Sequence, residues 1–261
     1  MNIEGKVALI TGASRGIGLA IARELAKAGV SRLILAARSI RRLNQVANSL
    51  RQMGVEAIAL PVDLTQSAEV SAAVAKAWRD YGAIDLLINC AGVAYQAPFL
   101  QSRAHQVQQE ISTNLVGMYT ITNLTARRMA ARKKGYIVNV SSLMGKVAAP
   151  TLSTYCATKF AIVGFTRALR LELAPHGVQV MALLPTLTET DMVREMKTFR
   201  GVTAISSERV ARTCVQGIAR DASEVLVGWQ SHLAVWCNRL LPGLFDQILR
   251  LSAPSLMPAR R

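Results

Sequence analysis

The stretch Thr11-Gly12-Ala13-Ser14-Arg15-Gly16-Ile17-Gly18 follows directly on the apolar run Lys6-Val7-Ala8-Leu9-Ile10. That run is short enough for a buried strand, and Thr11-Gly12 breaks it. Beyond the break, Ile17, Ala20, Ile21 and Leu25 recur at helical spacing. Gly12, Gly16 and Gly18 therefore fall in a turn from strand to helix. Backbone bare of side chains can approach a pyrophosphate there, and free N–H groups at a helix start favour an anion. The spacing is G-x-x-x-G-x-G, not the G-x-G-x-x-G of the common dinucleotide fingerprint.

Outward from this turn, apolar runs alternate with helical stretches at 7–11, 32–36, 56–61, 85–89, 135–140, 178–184 and 224–227. Such alternation predicts one doubly wound α/β domain, Rossmann-type, with a parallel sheet of about seven strands. A chain of 261 residues, 51% hydrophobic, can bury the core this needs. No repeat or linker divides it. Residues 1–228 are expected to form the catalytic and dinucleotide-binding domain, and 229–261 a helical tail.

After the second run stands Ala37-Arg38, where a carboxylate would meet a free ribose 2′-hydroxyl. Arg38, with Arg15 in the glycine turn, suits a 2′-phosphate instead, so NADP(H) is expected over NAD(H). Further along, Tyr155 and Lys159 lie at i and i+4 of a helical pattern over 155–170 and share a face. An ammonium beside a phenol stabilises the phenolate and brings its pKa nearer to neutral conditions. Tyr155 is thus a candidate proton donor to a carbonyl oxygen, tuned by Lys159. Ser142 is a candidate donor to the same oxygen.

The chain resembles the short-chain dehydrogenase/reductase family from Gly5 to about Thr190. Thr11–Gly18 matches its glycine turn, and Asn89-Cys90-Ala91-Gly92 its Asn-Asn-Ala-Gly motif with Cys90 as a departure. Asn114, Ser142, Tyr155 and Lys159 match its catalytic tetrad. Pro185 to Thr190 resembles its Pro-Gly-x-x-x-Thr segment, with Thr186 in place of glycine. The resemblance implies a cofactor site of Gly12, Ser14, Arg15, Gly16, Ile17, Gly18, Arg38, Asp63, Leu64, Asn89, Ala91, Gly92, Tyr155, Lys159, Pro185 and Thr190. It also implies that Lys159 holds the nicotinamide ribose and that Asn114 holds a proton-relaying water. Dimers through the helices of Asn114 and Tyr155 are a further implication, with tetramers as the alternative.

The four cysteines show no metal-like or redox-like pairing, and no metal is expected. The N-terminus enters the first strand without room for a signal peptide, so a cytoplasmic protein is expected. The net charge is +15. Its densest cluster, Arg127, Arg128, Arg132, Lys133 and Lys134, ends a helix and complements its dipole. No nucleic-acid motif accompanies it, and no nucleic-acid partner is expected.

In the tail, Trp229, Leu233, Trp236 and Leu240 form one apolar stripe, followed after Pro242-Gly243 by Leu244, Ile248 and Leu251 and the basic end Ala259-Arg260-Arg261. Packing on the domain or on a second subunit is expected, with peripheral membrane contact as the alternative. Met192, Met196 and Phe199, with Leu143, Met144 and Tyr95, are expected to wall an apolar substrate pocket. The expected activity is reversible reduction of a hydrophobic ketone or aldehyde. A 3-oxoacyl thioester reductase is the nearest alternative. A non-catalytic NADP(H)-binding sensor or membrane-surface scaffold is the alternative of another class.

Overall fold

The computed structural model describes residues 1–254; the basic end at 259–261 lies outside them. Seven strands form one sheet: β1 (Val7–Thr11), β2 (Arg32–Ala37), β3 (Glu56–Pro61), β4 (Leu86–Asn89), β5 (Gly135–Val140), β6 (Val178–Pro185) and β7 (Glu224–Val227). Their order is β3-β2-β1-β4-β5-β6-β7, and every pairing is parallel. The expected strands and their boundaries agree with this to within a residue.

The helices are α1 (Gly16–Lys27), α2 (Ile40–Arg51), α3 (Ser67–Tyr81), α4 (Ala104–Ile111), α5 (Met118–Ala131), α6 (Ser153–Leu173), α7 (Asp191–Arg194), α8 (Ser207–Ala219), α9 (Trp229–Leu240) and α10 (Pro242–Ser252). A π-helical segment, Ser112–Gly117, joins α4 to α5.

Alternation along each strand divides the core between the two faces. Ala8 and Ile10 of β1, with Leu33 and Leu35 of β2, meet Ile21 and Leu25 of α1, Leu43 and Leu50 of α2 and Val210 of α8. Leu9 and Ile34 point the other way, to Val70 and Val74 of α3 and Ile121 and Met129 of α5. Helices on both faces bury the central strands, which is why these read as continuous apolar runs, while the edge strands β3 and β7 begin with exposed Glu56 and Glu224. The basic cluster at the end of α5 is partly held by packing: Arg128 and Arg132 stand over the Trp78 ring, and Arg132 reaches Asp85 at 3.3 Å.

The register aligns the strand ends that matter. Thr11 pairs with Ala36 and with Asn89, and Asn89 with Asn139. The glycine turn, Arg38, Ala91-Gly92, Ser142 and Pro185 consequently emerge along one edge, with the strand order reversing between β1 and β4. In doubly wound sheets ligands bind at that edge and that reversal.

The tail stripe is largely exposed on the single chain. Trp229 is 67% exposed, Leu233 54%, Trp236 67% and Leu240 61%. The opposite side of the helix packs on the domain, with Ser231 buried and bonded to the Val227 carbonyl at 2.8 Å. No helix among the described residues is long and apolar enough to cross a membrane.

Candidate active site

The Thr11 hydroxyl accepts from the Cys90 and Ala91 amides at 3.0 and 3.1 Å, tying the turn after β1 to that after β4. Gly12 has φ +69°, and a Cβ there would lie 2.8 Å from the Ala91 Cα. A Cβ on Gly18 would collide with the Gly12 carbonyl, so the helix can press against the turn only without one. Helix α1 begins with Arg15 at its N-cap and no side-chain cap, which leaves its first amides available to an anion. Across the crevice, a Cβ on Gly16 would be 3.3 Å from Thr190. This tight, uncapped turn fits a dinucleotide pyrophosphate.

Arg38 follows β2 and is exposed, with no ion-pair or hydrogen-bond partner for its guanidinium among the described residues. Arg15 is engaged instead by Asp191 at 3.3 Å, an exposed pair of the kind that contributes little. Asp63 is held by its own turn, its carboxylate accepting from the Thr65 amide and hydroxyl, both at 2.9 Å. Leu64 is buried beside it, its carbonyl and Cβ pressing on Gly117. The Asn89 side-chain amide donates to Thr122 and Asn139, both at 2.8 Å. Asn139 donates onward to Thr166 at 3.0 Å, so one buried chain of amides and hydroxyls links β4 and β5 to α5 and α6.

The four expected catalytic residues converge. Lys159 is buried and donates to the Val140 carbonyl at 3.0 Å, while its own carbonyl accepts from Ser141 at 2.8 Å. Its ammonium lies 5.5 Å from the centre of the Tyr155 ring. Ser142 accepts from the Met144 amide at 3.1 Å and stands close enough to the Tyr155 phenol to pull its pKa down. Asn114 grips Val93 twice at 2.8 Å, accepting from its amide and donating to its carbonyl. Asn114 also donates to Thr158 at 3.2 Å, which in turn donates to the Tyr155 carbonyl at 2.8 Å. A Cβ on Gly92 would sit 3.3 Å from the Asn114 amide oxygen and 3.7 Å from the Lys159 ammonium.

The electrostatics correct one expectation. Burial pushes the Tyr155 phenol up to about 12, only partly opposed by the Ser142 hydroxyl. Burial also pulls Lys159 down to about 8. Desolvation outweighs the stabilisation of the phenolate expected from the lysine, because both groups lie in the same dry wall. Cys90, close enough to feel the Lys159 charge, is pushed up to about 12, and burial raises Cys156 too. Both thiols stay protonated at neutral pH, buried Cys156 packing as a small apolar group and Cys90 half-buried beside the turn.

Beside Ser142 and Tyr155 opens a cavity of about 520 Å³. Leu143, Met144, Met192, Met196 and Phe199 line it as expected, although the helix there covers only Asp191–Arg194. Tyr95 does not line it; its hydroxyl donates to Gln109 at 2.7 Å and its amide to buried Glu110 at 2.6 Å. Two contributions went unforeseen. Trp229, Leu233, Phe245 and Leu249 of the tail complete the wall, so the tail is part of the site. Glu110 fixes the segment after Gly92; a lone glutamate on a helix carries no signal of that in sequence.

A sheet of this order, with a pyrophosphate turn at its reversal and a Ser-Tyr-Lys-Asn cluster at the same edge, defines the class of nucleotide-dependent oxidoreductases. The chain belongs to the short-chain dehydrogenase family, whose sequence model matches residues 6–201. Among its relatives is the ketoacyl reductase HetN of Nostoc sp., 34% identical, with 95% of this chain and 90% of that protein covered. Estradiol 17-beta-dehydrogenase 11 of Mus musculus is 31% identical over 95% of this chain and 84% of its own. Among solved structures, a gluconate 5-dehydrogenase from Burkholderia cenocepacia in complex with NADP and tartrate superposes with a TM-score of 0.82. It is 28% identical, with 88% of this chain and 96% of that one covered.

Proposed function

We propose that the protein is an NADP(H)-dependent reductase of hydrophobic ketones or aldehydes, working reversibly. The observation that carries this reading is the apolar cavity with Ser142 and Tyr155 on its wall and Lys159 immediately behind. Gly12, Ser14, Gly16, Ile17 and Gly18 would receive the pyrophosphate, and Arg38 a 2′-phosphate. Pro185 and Thr190 would flank the nicotinamide end. The NADP complex of the Burkholderia structure supports that choice of cofactor.

When bound, NADPH supplies the hydride to the carbonyl carbon. Tyr155 then gives its proton to the carbonyl oxygen, which Ser142 orients through a hydrogen bond. A phenol raised by burial stays protonated at neutral pH and is therefore poised as donor in the reducing direction. Lys159, its ammonium fixed by Val140, would place a positive charge behind the phenolate as it forms. Asn114 holds the Val93 segment and, through Thr158, the backbone of Tyr155.

A 3-oxoacyl thioester as substrate is the second reading, favoured by the HetN relative and by a basic surface suited to an acidic carrier. Self-association through α5 and α6 accompanies either reading. Val116 just ahead of α5, Tyr119 on α5 and Phe160 on α6 are exposed, and the Tyr119 and Phe165 rings lie 5.6 Å apart, joining the two helices. The deciding experiment follows NADPH absorbance across apolar ketones, retinal-like aldehydes and 3-oxoacyl thioesters, with Tyr155→Phe as control. Turnover lost in that variant sustains the reading. Tight NADPH binding without turnover on any of them would point to a sensor.

A further inference from the structure

Eight large apolar side chains of α9 and α10 and their junction are exposed: Trp229, Leu233, Trp236, Leu240, Leu241, Leu244, Ile248 and Leu251. Monomer surfaces rarely gather so many in one place without a use for them. Trp229, Leu233 and Ile248, with exposed Val202, also line the cavity, so its mouth opens within this patch. The patch is braced on the pocket wall by the Arg200 amide, which donates to the Ser252 carbonyl at 3.0 Å.

We propose that this face docks on an anionic phospholipid surface and that the apolar substrate enters the cavity from the lipid. Charge selects that occupant over a second copy of the chain. The protein carries +15, and residues 229–254 contain Arg239 and Arg250 against Asp246 alone. Two such faces brought together place like charges near each other, whereas an anionic headgroup layer meets them with opposite charge. Two short helices, α9 with Trp229 and Trp236 on its outer side and α10 with Leu244, Ile248 and Leu251, lie in the headgroup region without spanning. The docking stands on the surface alone; only the entry route rests on the reductase reading.

Flotation of the full chain with vesicles tests it, using phosphatidylcholine alone or mixed with phosphatidylglycerol. The tail variant carries Trp236→Gln and Leu240→Gln, both exposed and neither lining the cavity, so the fold should be retained. Val116→Gln with Tyr119→Gln alters the other exposed face as control. The protein should float with the phosphatidylglycerol vesicles, less so in high salt. The tail variant should bind at least roughly tenfold more weakly, and the control as the parent does. Absence of flotation, equal binding to neutral vesicles, or binding indifferent to the tail variant would overturn the proposal. So would an oligomer, seen by light scattering without lipid binding, that the tail variant dissolves; the face would then be a subunit contact. Flotation needs no turnover, so an inactive protein that floats would refute the reductase reading and leave the docking intact.

Discussion

Helices α1 and α9 have the same length, twelve residues, and each carries an apolar stripe at helical spacing. In α1 the stripe is spent inside: Ile21 and Leu25 are fully buried against β1 and β2. In α9 it is largely exposed, and two of its members, Trp229 and Leu233, line the cavity from its surface. Periodicity tells which residues of a helix share a face. It does not tell which face meets the protein, because that depends on whether a neighbouring element has apolar area to offer.

The largest effect should separate the site from everything else. Tyr155→Phe removes the proton donor while preserving ring and fold, and kcat should fall about 10²- to 10⁴-fold with NADPH affinity nearly unchanged. Stopped-flow and nucleotide titration read the two quantities separately. An unchanged kcat would remove Tyr155 from the reaction.

The comparison itself can be broken by a matched pair of truncations. Leu25→Ala empties a fully buried position and should cost about 2–5 kcal/mol in chemical denaturation. Leu240→Ala, at 61% exposure, should stay within about 0.5 kcal/mol. Similar costs at both positions would mean that the tail stripe is covered in solution. Smaller again is the effect at the cofactor's far end: Arg38→Ala should weaken NADPH by about 1.5–3 kcal/mol, the worth of hydrogen bonds to a charged group, and spare NADH.

The gentlest probe is pH. Lys159 titrates at about 8 in the folded protein against 10.5 as its ordinary value, so between these the unfolded chain binds the extra proton. Stability from this group should therefore rise with pH across that window. Tyr155, raised from 10.0 to about 12, acts oppositely, and its contribution is lost as pH climbs through that higher range. Thermal melts of the parent and of Lys159→Met should differ in slope between pH 8 and 10.5, the variant being flatter.

Sequence made the sheet legible because strands buried on both faces read as near-continuous apolar runs. The glycine turn and the Tyr155–Lys159 pair were legible because each needs particular residue types at fixed separation. The wall of the cavity was not. Tyr95 falls outside it and Phe245 within it because loop path and tail docking decide, and neither leaves a periodic trace. Nor does a motif report the sum of opposing terms: the phenol and ammonium were readable as neighbours, but the depth of their burial was not.

The π-helical segment at Ser112–Gly117 makes this site depend on a surplus. One residue more than an α-helix would use lets Asn114 grip Val93 while Met118, Ile121 and Met129 stay buried. Removing any one residue from the segment would give a more regular helix, yet turn one side of it by about 100° against the other. Either Glu110 and Asn114 or the core side chains of α5 would then lose their partners. Regular helix geometry and the geometry of the site make opposite demands at this point.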